Sequence, residues 1–516
     1  MSPRSKNYCR GVFMKKRIKI LAVAFSVCLA ALAVRAEYIQ VEGHKDLGDA
    51  ARMQQTLKIN GTDTRSIIYD RNGARITDAS TNYVYIIKRS RLDMKARQLL
   101  EAADAVEGDK TNDTYAIYHT ENKNQNIRES LEKNYNAYVI EAGSRYSANQ
   151  PAAHLLGYLS GNKGAAGLEA RYQSRLYSED NSTFVYTDGE GNILKGESPY
   201  VSYAEDAFLT TIDIQIQKTT EKILKNCEYN SAAVVLETKT GNILAMASTP
   251  DYSPQQIENF LESNSGCLIN KALQGYPPGS VFKIVTAAAA LEAGADTDEM
   301  KFYCGGEESF GDVKIKCTAA HGRLNLTEAF AKSCNCAFIQ LGQVAGYEAV
   351  RDMAQKMGTG TKVLGFKEEA AGRITAEQEA AGAGIANMSI GQGTLLVSPV
   401  QAARITNIIA NGGIDTGIHI ISEKQEKSRI VSEKTADEIT EMMKAVTEYG
   451  TGASSSTLLC AGKTGSAEAG SMIHGWFTGF FPYDEPEYTI TVFCEDGKSG
   501  GNSALKVFDQ IAETLR

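Results

Sequence analysis

The stretch YPPGSVFK at residues 276–283 joins a chain-breaking cluster to an apolar pattern of helical spacing. Prolines before this pattern and Gly294 after it are typical start and stop signals, so we predict a helix over residues 280–291. Residues three apart share one face of a helix, which brings Lys283 within reach of the Ser280 hydroxyl. A lysine in a dry site has a lowered pKa and can act as a base. The pair therefore predicts a nucleophilic serine.

Two further motifs follow Ser280 along the chain. Residues 333–335 read SCN, where Ser333 can relay protons and the amide of Asn335 can hold a substrate carbonyl. Residues 463–466 read KTGS and, placed on a strand, present a cation, hydroxyls and open backbone N–H groups to a substrate carboxylate. The candidate catalytic residues are Ser280, Lys283, Ser333 and Lys463, and the candidate substrate-binding residues are Asn335, Thr464, Gly465 and Ser466.

Context separates these motifs from chance matches, because short motifs recur. Ser-x-x-Lys also occurs at Ser130, Ser160 and Ser503, and a second Lys-Thr-Gly occupies residues 239–241. Only Ser280 follows a Pro-Pro-Gly break and opens an apolar helix. The second Lys-Thr-Gly lies in a predicted hairpin turn and precedes the serine. Positions 280, 333 and 463 therefore form the credible set.

Composition limits the class of protein. The chain has 516 residues, of which 43% are hydrophobic and 22% are charged, so two or three globular units are expected. The formal net charge of -8 argues against a nucleic-acid partner, which usually binds a basic patch.

The order of apolar patterns predicts an α+β fold with a mainly antiparallel sheet covered by helices. Residues 232–237 and 242–247 read as a hairpin, helices fill the middle, and strands return at 476–480 and 488–493 before a last helix from Ser503. Residues 37–205 are more polar. There we predict a hairpin of strands 66–69 and 83–87 around the turn 70–73, and a helix over 94–106.

The N-terminus has the pattern of an export signal. Basic residues precede an apolar run at 20–34, so the rest of the chain is expected outside the cytoplasm. The run is short for a membrane-spanning helix, and residues 34–36 resemble a cleavage site. Composition alone therefore favours a cleaved signal peptide over an anchor.

The chain has ten cysteines. Because an exported protein can form disulfides, some of them can be paired. We predict a disulfide between Cys304 and Cys317, which bracket a short Gly-rich stretch. The alternative is a zinc site, although its spacing matches no common zinc module. Its ligands would come from Cys304, Cys317, His321, Cys334 and Cys336.

The three motifs together resemble the active-site set of the class B penicillin-binding proteins, the peptidoglycan transpeptidases. The resemblance covers nearly everything after the apolar run. Further similar segments are 209–213, 240–248, 276–280, 321–322, 391–393, 398–399 and 474–477, with 70–73, 156–158 and 167–169 in the N-terminal part.

The resemblance implies a mechanism without a metal or organic cofactor. Ser280 would attack the carbonyl between two D-alanines of a stem peptide, and an amine of a neighbouring stem would then accept the acyl group. Penicillin would be trapped as a stable acyl-enzyme. The implied roles are proton acceptor for Lys283, proton relay for Ser333 and Lys463, peptide binding for Asn335, carboxylate binding for Thr464 and Ser466, and an oxyanion hole of the Ser280 and Ser466 N–H groups.

The resemblance also implies the organisation of the chain. It favours a cytoplasmic tail at 1–19, a signal anchor rather than a cleaved peptide at 20–36, an elongated α+β non-catalytic module at 37–205 and a transpeptidase domain at 206–516. The protein would be a single-pass membrane protein with an extracytoplasmic catalytic domain. Expected partners are stem peptides, β-lactams, the membrane and a membrane glycan polymerase.

Other functions stay open at this point. A D,D-carboxypeptidase would use water instead of the acceptor amine. A serine β-lactamase fits less well, because no Glu-x-x-Leu-Asn segment lies between the second and third motifs. A non-catalytic penicillin sensor or scaffold is a further alternative, and the complete motif set argues against it.

Overall fold

The computed structural model of the protein describes residues 4–41, 56–59, 65–108, 113–177, 182–188, 192–194, 200–202, 207–295, 300–422 and 426–516. The chain forms two compact units. The first comprises Met1–Thr64, Val84–Ile140 and Asn181–Ser202, and the second comprises Arg65–Tyr83, Glu141–Asp180 and Tyr203–Arg516. The boundaries placed at residues 19, 36 and 205 from the sequence remain predictions.

A five-stranded sheet organises the second unit. Its strands are β1 (Ser231–Glu237), β2 (Asn242–Ser248), β3 (Ala461–Ala469), β4 (Met472–Phe481) and β5 (Tyr488–Cys494). The order across the sheet is β2-β1-β5-β4-β3, and every neighbouring pair is antiparallel. The predicted α+β class and the predicted hairpin at β1 and β2 are confirmed.

Helices cover both faces of this sheet because its strands alternate apolar side chains between the faces. Trp476 and Phe480 of β4 pack with the helix Lys283–Glu292 and its neighbours. Phe477 of the same strand packs on the other face with Phe508 of the last helix. The remaining longer helices of this unit are Ile214–Lys225, Leu326–Ala331, Asn335–Ala345, Tyr347–Lys356, Ala383–Ser389, Pro399–Ala410, Glu433–Glu448 and Ala504–Glu513.

Smaller elements complete the second unit. Its short helices are Ala153–Leu156, Gly167–Arg171, Gln173–Leu176 and Glu258–Leu261. Its short strands are Ile68–Tyr69, Leu159–Ser160, Lys163–Gly164, Phe208–Leu209, Phe302–Cys304, Glu307–Phe310, Val313–Lys316, Gly322–Leu324, Ile414–Asp415 and Ser428–Arg429.

The first unit contains most of a four-stranded sheet and a three-stranded sheet. Its helices are Arg4–Val41, Met94–Ala102 and Gln125–Tyr135. The strands of the two sheets, in chain order, are Thr56–Ile59, Ser80–Lys88, Val106–Glu107, Tyr115–Thr120, Tyr138–Ser144, Ser182–Tyr186 and Tyr200–Ser202.

The predicted hairpin around residues 70–73 is wrong in its pairing. The turn exists, with the N–H of Gly73 donating to the carbonyl of Asp70 over 3.1 Å. However, Ile68–Tyr69 pairs in parallel with Phe208–Leu209, whereas Ser80–Lys88 belongs to the four-stranded sheet. The strand at 208–209 supplies a distant partner that local turn chemistry does not reveal.

The N-terminal helix Arg4–Val41 contains a segment, Arg17–Tyr38, of 22 residues with a mean hydropathy of 2.1. By length and composition this segment can cross a membrane, since about 20 apolar residues span the hydrocarbon core. Its side chains are exposed within the protein. The helix is therefore longer than the apolar run alone suggested.

A buried ion cluster lies in the second unit at the segment 167–169 that the sequence analysis singled out. Glu169 is fully buried and accepts from Arg65 Nε over 2.8 Å and from Arg145 Nε over 2.7 Å. The Tyr146 hydroxyl donates to the same carboxylate over 3.2 Å. These contacts join chain segments that are far apart in sequence.

Removing this carboxylate is expected to destabilise the protein strongly. Glu169→Ala leaves Arg65 and Arg145 buried without their anion, a change of about 3–5 kcal/mol in the free energy of unfolding. Denaturant unfolding at constant protein concentration measures this difference. The exposed Glu258→Ala is the matched control and should change stability by less than about 0.5 kcal/mol. Equal effects of the two variants would contradict the structural role given to Glu169.

Candidate active site

Ser280 lies in a single 3₁₀ turn, Gly279–Phe282, and the α-helix proper begins at Lys283. The predicted helix therefore exists but starts three residues later. Gly279 explains the turn: its φ of 54° is in the left-handed region, and its N–H donates to Gly391 O over 2.9 Å. A Cβ at this position would lie 2.8 Å from Ser466 O. The turn thus packs its backbone directly against β3.

Trp476 fixes the residues just before this turn. Its side chain is fully buried, and its indole N–H donates to Pro277 O over 3.0 Å. Trp476 is the direct partner of Gly465 in the β3–β4 pairing. A Cβ on Gly465 would lie 3.1 Å from both Pro278 O and Val281 Cγ1, so a small residue is required there. The KTGS strand and the Ser280 turn are therefore in close contact.

Lys283 is fully buried and points toward the SCN segment. Its Nζ donates to Ser333 O over 2.7 Å and to Asn335 Oδ1 over 2.9 Å. Within the described part of the chain Lys283 makes no hydrogen bond to the Ser280 hydroxyl, although the sequence predicted this contact. Catalytic hydrogen bonds are often long until a substrate binds. The first and second motifs are nevertheless joined.

Lys463 brings in the third motif. It is also fully buried, and its Nζ donates to Ser333 Oγ and to Thr464 O, each over 2.9 Å. The Nζ of Lys283 lies 3.4 Å from the same Ser333 Oγ. Ser333 itself has a φ of 54°, an unfavourable value for a non-glycine residue. A strained serine therefore bridges two buried lysines.

Burial decides the protonation of these two amines. Loss of hydration lowers the pKa of Lys283 from 10.5 to about 8. Burial, followed by the nearby Lys283 charge, lowers the pKa of Lys463 well below its usual value. Lowering both pKa values raises the share of neutral amine in the site near neutral pH, and a base requires a neutral amine.

Three of the four substrate-binding candidates, Thr464, Gly465 and Ser466, lie on β3, the edge strand of the sheet, and Asn335 begins the helix Asn335–Ala345. Ser466 is exposed, and its Oγ accepts from Gly500 N over 3.4 Å. Thr464 Oγ1 lies 2.5 Å from Thr451 Oγ1. Thr451 was not among the predicted site residues, because nothing in its local pattern indicates a contact with a residue 13 positions later. All eight predicted site residues thus lie on three adjoining segments.

The cysteines beside the SCN motif differ from the prediction. Cys304 and Cys317 are both free, so the predicted disulfide is wrong. The reason is geometric: each sulfur lies 3.5 Å from Nδ1 of His321. Cys317 Sγ also lies 3.8 Å from Cys334 Sγ. Hydrogen bonding between the two side chains lowers the pKa of Cys317.

Comparison with known proteins agrees with this geometry. Residues 231–513 match the family described as "Penicillin binding protein transpeptidase domain", and this match covers the five-stranded sheet and all three motifs. The chain belongs to the penicillin-binding protein transpeptidase family.

Relatives extend the similarity along the chain. Stage V sporulation protein D of Bacillus subtilis (strain 168) is 26% identical, over 97% of this chain and 85% of that protein. Peptidoglycan D,D-transpeptidase PbpA of Mycobacterium tuberculosis (strain ATCC 25618 / H37Rv) is 31% identical, over 56% of this chain and 67% of that protein.

Solved structures share the fold. Penicillin-binding protein 2 of Helicobacter pylori superposes with a TM-score of 0.72 at 19% identity, covering 89% of this chain and 98% of that chain. Penicillin-binding protein A of M. tuberculosis, as a ceftriaxone acyl-enzyme complex, gives a TM-score of 0.60 at 25% identity, covering 73% of this chain and 93% of that chain. The predicted class B penicillin-binding protein fold is confirmed.

Proposed function

We propose that this protein is a peptidoglycan D,D-transpeptidase that cross-links stem peptides through an acyl-enzyme on Ser280 and is inhibited covalently by penicillin. One observation carries the proposal: two fully buried lysines, Lys283 and Lys463, converge on Ser333 beside the Ser280 turn. Relatives named D,D-transpeptidases and the family match support the same reaction.

Lys283 is suited to take the proton of Ser280. A neutral amine has two N–H donors and one lone pair. The two shorter of its three contacts, to Ser333 O and Asn335 Oδ1, use both donors. The lone pair can then accept from a hydroxyl, either that of Ser333 at 3.4 Å or, in the substrate complex, that of Ser280. Ser280 Oγ then attacks the carbonyl between the two D-alanines, forming a C–O bond while its proton moves to Lys283 Nζ.

Ser333 and Lys463 act in the second half of acylation. The tetrahedral intermediate breaks its C–N bond, and the departing D-alanine amine needs a proton. The Lys283–Ser333–Lys463 chain can deliver it, since Ser333 Oγ lies within 3.4 Å of Lys283 Nζ and 2.9 Å from Lys463 Nζ. The acceptor amine of a neighbouring stem then attacks the ester carbonyl and forms a C–N bond. Its proton passes through the same groups to Ser280 Oγ as the C–O bond breaks.

The edge position of β3 suits it to bind an extended peptide. An edge strand has backbone groups that no neighbouring strand pairs, so a stem peptide can add alongside it. The Thr464 and Ser466 hydroxyls would bind the terminal carboxylate, and Gly465 lets the Ser280 turn approach the strand closely. The N–H groups of Ser280 and Ser466 would form the oxyanion hole, and the Asn335 amide would hold the peptide backbone.

The acylation rate should depend on pH through Lys283. With the pKa of Lys283 lowered to about 8, the rate constant for penicillin acylation should rise about tenfold per pH unit below pH 8 and level off above it. Stopped-flow or gel measurement of fluorescent penicillin labelling between pH 6 and 9 gives the profile. A rate that is flat over this range would exclude Lys283 as the base.

The carboxypeptidase alternative differs only in the acceptor. A pentapeptide stem supplied together with an amine-bearing stem separates the two activities. The transpeptidase proposal expects a cross-linked dimer together with released D-alanine. Release of D-alanine without any dimer would favour the carboxypeptidase.

We also propose that the helix containing Arg17–Tyr38 is an uncleaved anchor that holds residues 37–516 outside the membrane. Residues 37–205 would form the non-catalytic module. One similar structure is described as a peptidoglycan synthase complex that coordinates polymerization and crosslinking, and another as a complex between PBP2 and MreC. By analogy a membrane glycan polymerase is the proposed partner here.

A further inference from the structure

Four metal-binding side chains meet next to the SCN motif. They are Cys304, Cys317, His321 and Cys334, and their donor atoms all lie within 4.8 Å of one another. They come from separate elements: the end of the strand Phe302–Cys304, the loop between Val313–Lys316 and Gly322–Leu324, and the start of the helix Asn335–Ala345. Such convergence needs tertiary folding, which explains why the spacing matches no common zinc module.

Three of the six distances between these donor atoms match the edges of a tetrahedral zinc site, and all six lie within 4.8 Å. With Zn–S of about 2.3 Å and Zn–N of about 2.0–2.1 Å, the edges of a tetrahedron are about 3.8 Å between sulfurs and about 3.6 Å between sulfur and nitrogen. Cys317 Sγ and Cys334 Sγ are 3.8 Å apart. His321 Nδ1 is 3.5 Å from Cys304 Sγ and from Cys317 Sγ.

We propose that Cys304, Cys317, His321 and Cys334 form a structural zinc site that holds the SCN segment of the active site in place. Three thiolates and one imidazole are a ligand set typical of closed structural zinc sites. The four side chains fill all four coordination positions of the ion. No position is open for a water, so the ion takes no part in acyl transfer.

Backbone N–H groups face two of the three proposed thiolates, whereas Cys304 Sγ lies 3.3 Å from Ala319 O. Asn335 N donates to Cys317 Sγ over 3.2 Å, and Ala337 N donates to Cys334 Sγ over 3.5 Å. Such N–H groups stabilise metal-bound thiolates and orient them. Three thiolates on a divalent ion leave one net negative charge, which lies at the start of the 11-residue helix Asn335–Ala345, where the helix dipole favours anions.

The four ligands are partly shielded from solvent, as expected for a closed metal site that an ion can still enter. Cys304 and Cys334 are buried, whereas Cys317 and His321 are half-buried. Cys334 directly follows Ser333 and precedes Asn335, so a metal bond to its sulfur restrains both neighbours. This restraint can maintain the unfavourable φ of Ser333. Without the metal, only the hydrogen bonds from the two lysines would hold Ser333 in that conformation.

Metal analysis of the full-length protein in detergent tests the proposal. The reduced protein is stripped with a chelator, supplied with zinc chloride, desalted and measured by elemental mass spectrometry. We expect about one zinc ion per chain for the wild type and at least about tenfold less for His321→Ala and Cys317→Ser. Cys336→Ala is the matched control, because Cys336 is a buried cysteine on the same helix outside the four ligands, and it should keep its zinc.

A second measurement separates metal loss from misfolding. Cobalt(II) in place of zinc should give the intense visible d–d bands and sulfur-to-metal charge transfer of tetrahedral thiolate coordination in the wild type and in Cys336→Ala. The metal-free wild type should label with fluorescent penicillin about tenfold or more slowly and recover when zinc is added.

Three results would overturn the proposal. The first is a reduced wild type that binds no zinc, and the second is an unchanged zinc content in both ligand variants. The third is an air-oxidised Cys317–Cys334 disulfide in the protein as isolated that supports faster labelling than the zinc form. Failure of the penicillin labelling itself would instead count against the proposed function, because zinc content is measured without it.

Discussion

Replacing Ser280 by alanine lowers the rate of covalent penicillin labelling by at least about 10⁴-fold, to the background of a non-catalytic protein. The reason is chemical: Ser280 carries the only side-chain hydroxyl of the turn Gly279–Phe282, which contacts the KTGS strand, and the alanine variant has no oxygen there to form the acyl bond. The substitution removes one partly buried oxygen, so the thermal midpoint of unfolding should stay close to that of the wild type. Fluorescence on denaturing gels measures the label.

The matched control for this change is Ser160→Ala. Ser160 begins another Ser-x-x-Lys match but is exposed, and in this structure it lies in the two-residue strand Leu159–Ser160. Full labelling of this control is expected. A label that persists in Ser280→Ala would mean that another residue is the nucleophile.

Replacing Lys283 by methionine has the second largest effect. Acylation should fall by about 10³-fold or more, because Ser280 loses its base and Ser333 O and Asn335 Oδ1 lose a donor. The free energy of unfolding of Lys283→Met, in contrast, should be higher than that of the wild type. A charged Lys283 in the folded protein is unfavourable by about 3 kcal/mol below pH 8, given its pKa of about 8 against 10.5. The apolar methionine removes this penalty.

The stability effect has a defined pH window. The folded protein binds the Lys283 proton less tightly than the unfolded chain, so wild-type stability rises between pH 8 and 10.5 through this group. The excess stability of Lys283→Met is therefore full below pH 8 and shrinks as the pH rises. Denaturant unfolding at pH 7 and pH 10 measures both values.

Two further variants separate base catalysis from packing. Lys239→Met changes the exposed lysine of the second Lys-Thr-Gly and should leave acylation unchanged. Lys283→Arg keeps the charge but cannot supply a neutral amine, so it should label about as slowly as Lys283→Met. Full acylation by Lys283→Arg would retain Ser280 as the nucleophile and require a different base.

The candidate site could be proposed from the sequence because its motifs are local and their order is informative. Ser280 and Lys283 are three residues apart at the start of a helix, so secondary structure alone places them on the same face of that helix. That Ser333 bridges Lys283 and Lys463 could not be predicted, because the bridge joins segments 50 and 130 residues apart. The later start of the helix likewise depends on Gly391, which contacts Gly279 only in the folded chain.

The wrong predictions also concern distant partners. The turn at residues 70–73 was evident from its residue types, but the strand before it pairs with Phe208–Leu209. Cys304 and Cys317 were paired because they are near in sequence, whereas folding brings His321 and Cys334 to the same point. Local patterns specify turns, helix starts and motif chemistry. Tertiary packing determines which distant strands and side chains contact each other.

Mapping the acylated residue tests the central claim most directly. The full-length protein is saturated with a β-lactam, digested, and its modified peptide is sequenced by tandem mass spectrometry. We predict a single adduct on Ser280, in the peptide that contains residues 276–283. An adduct on any other residue, or no adduct under conditions in which the protein is folded, would contradict the account.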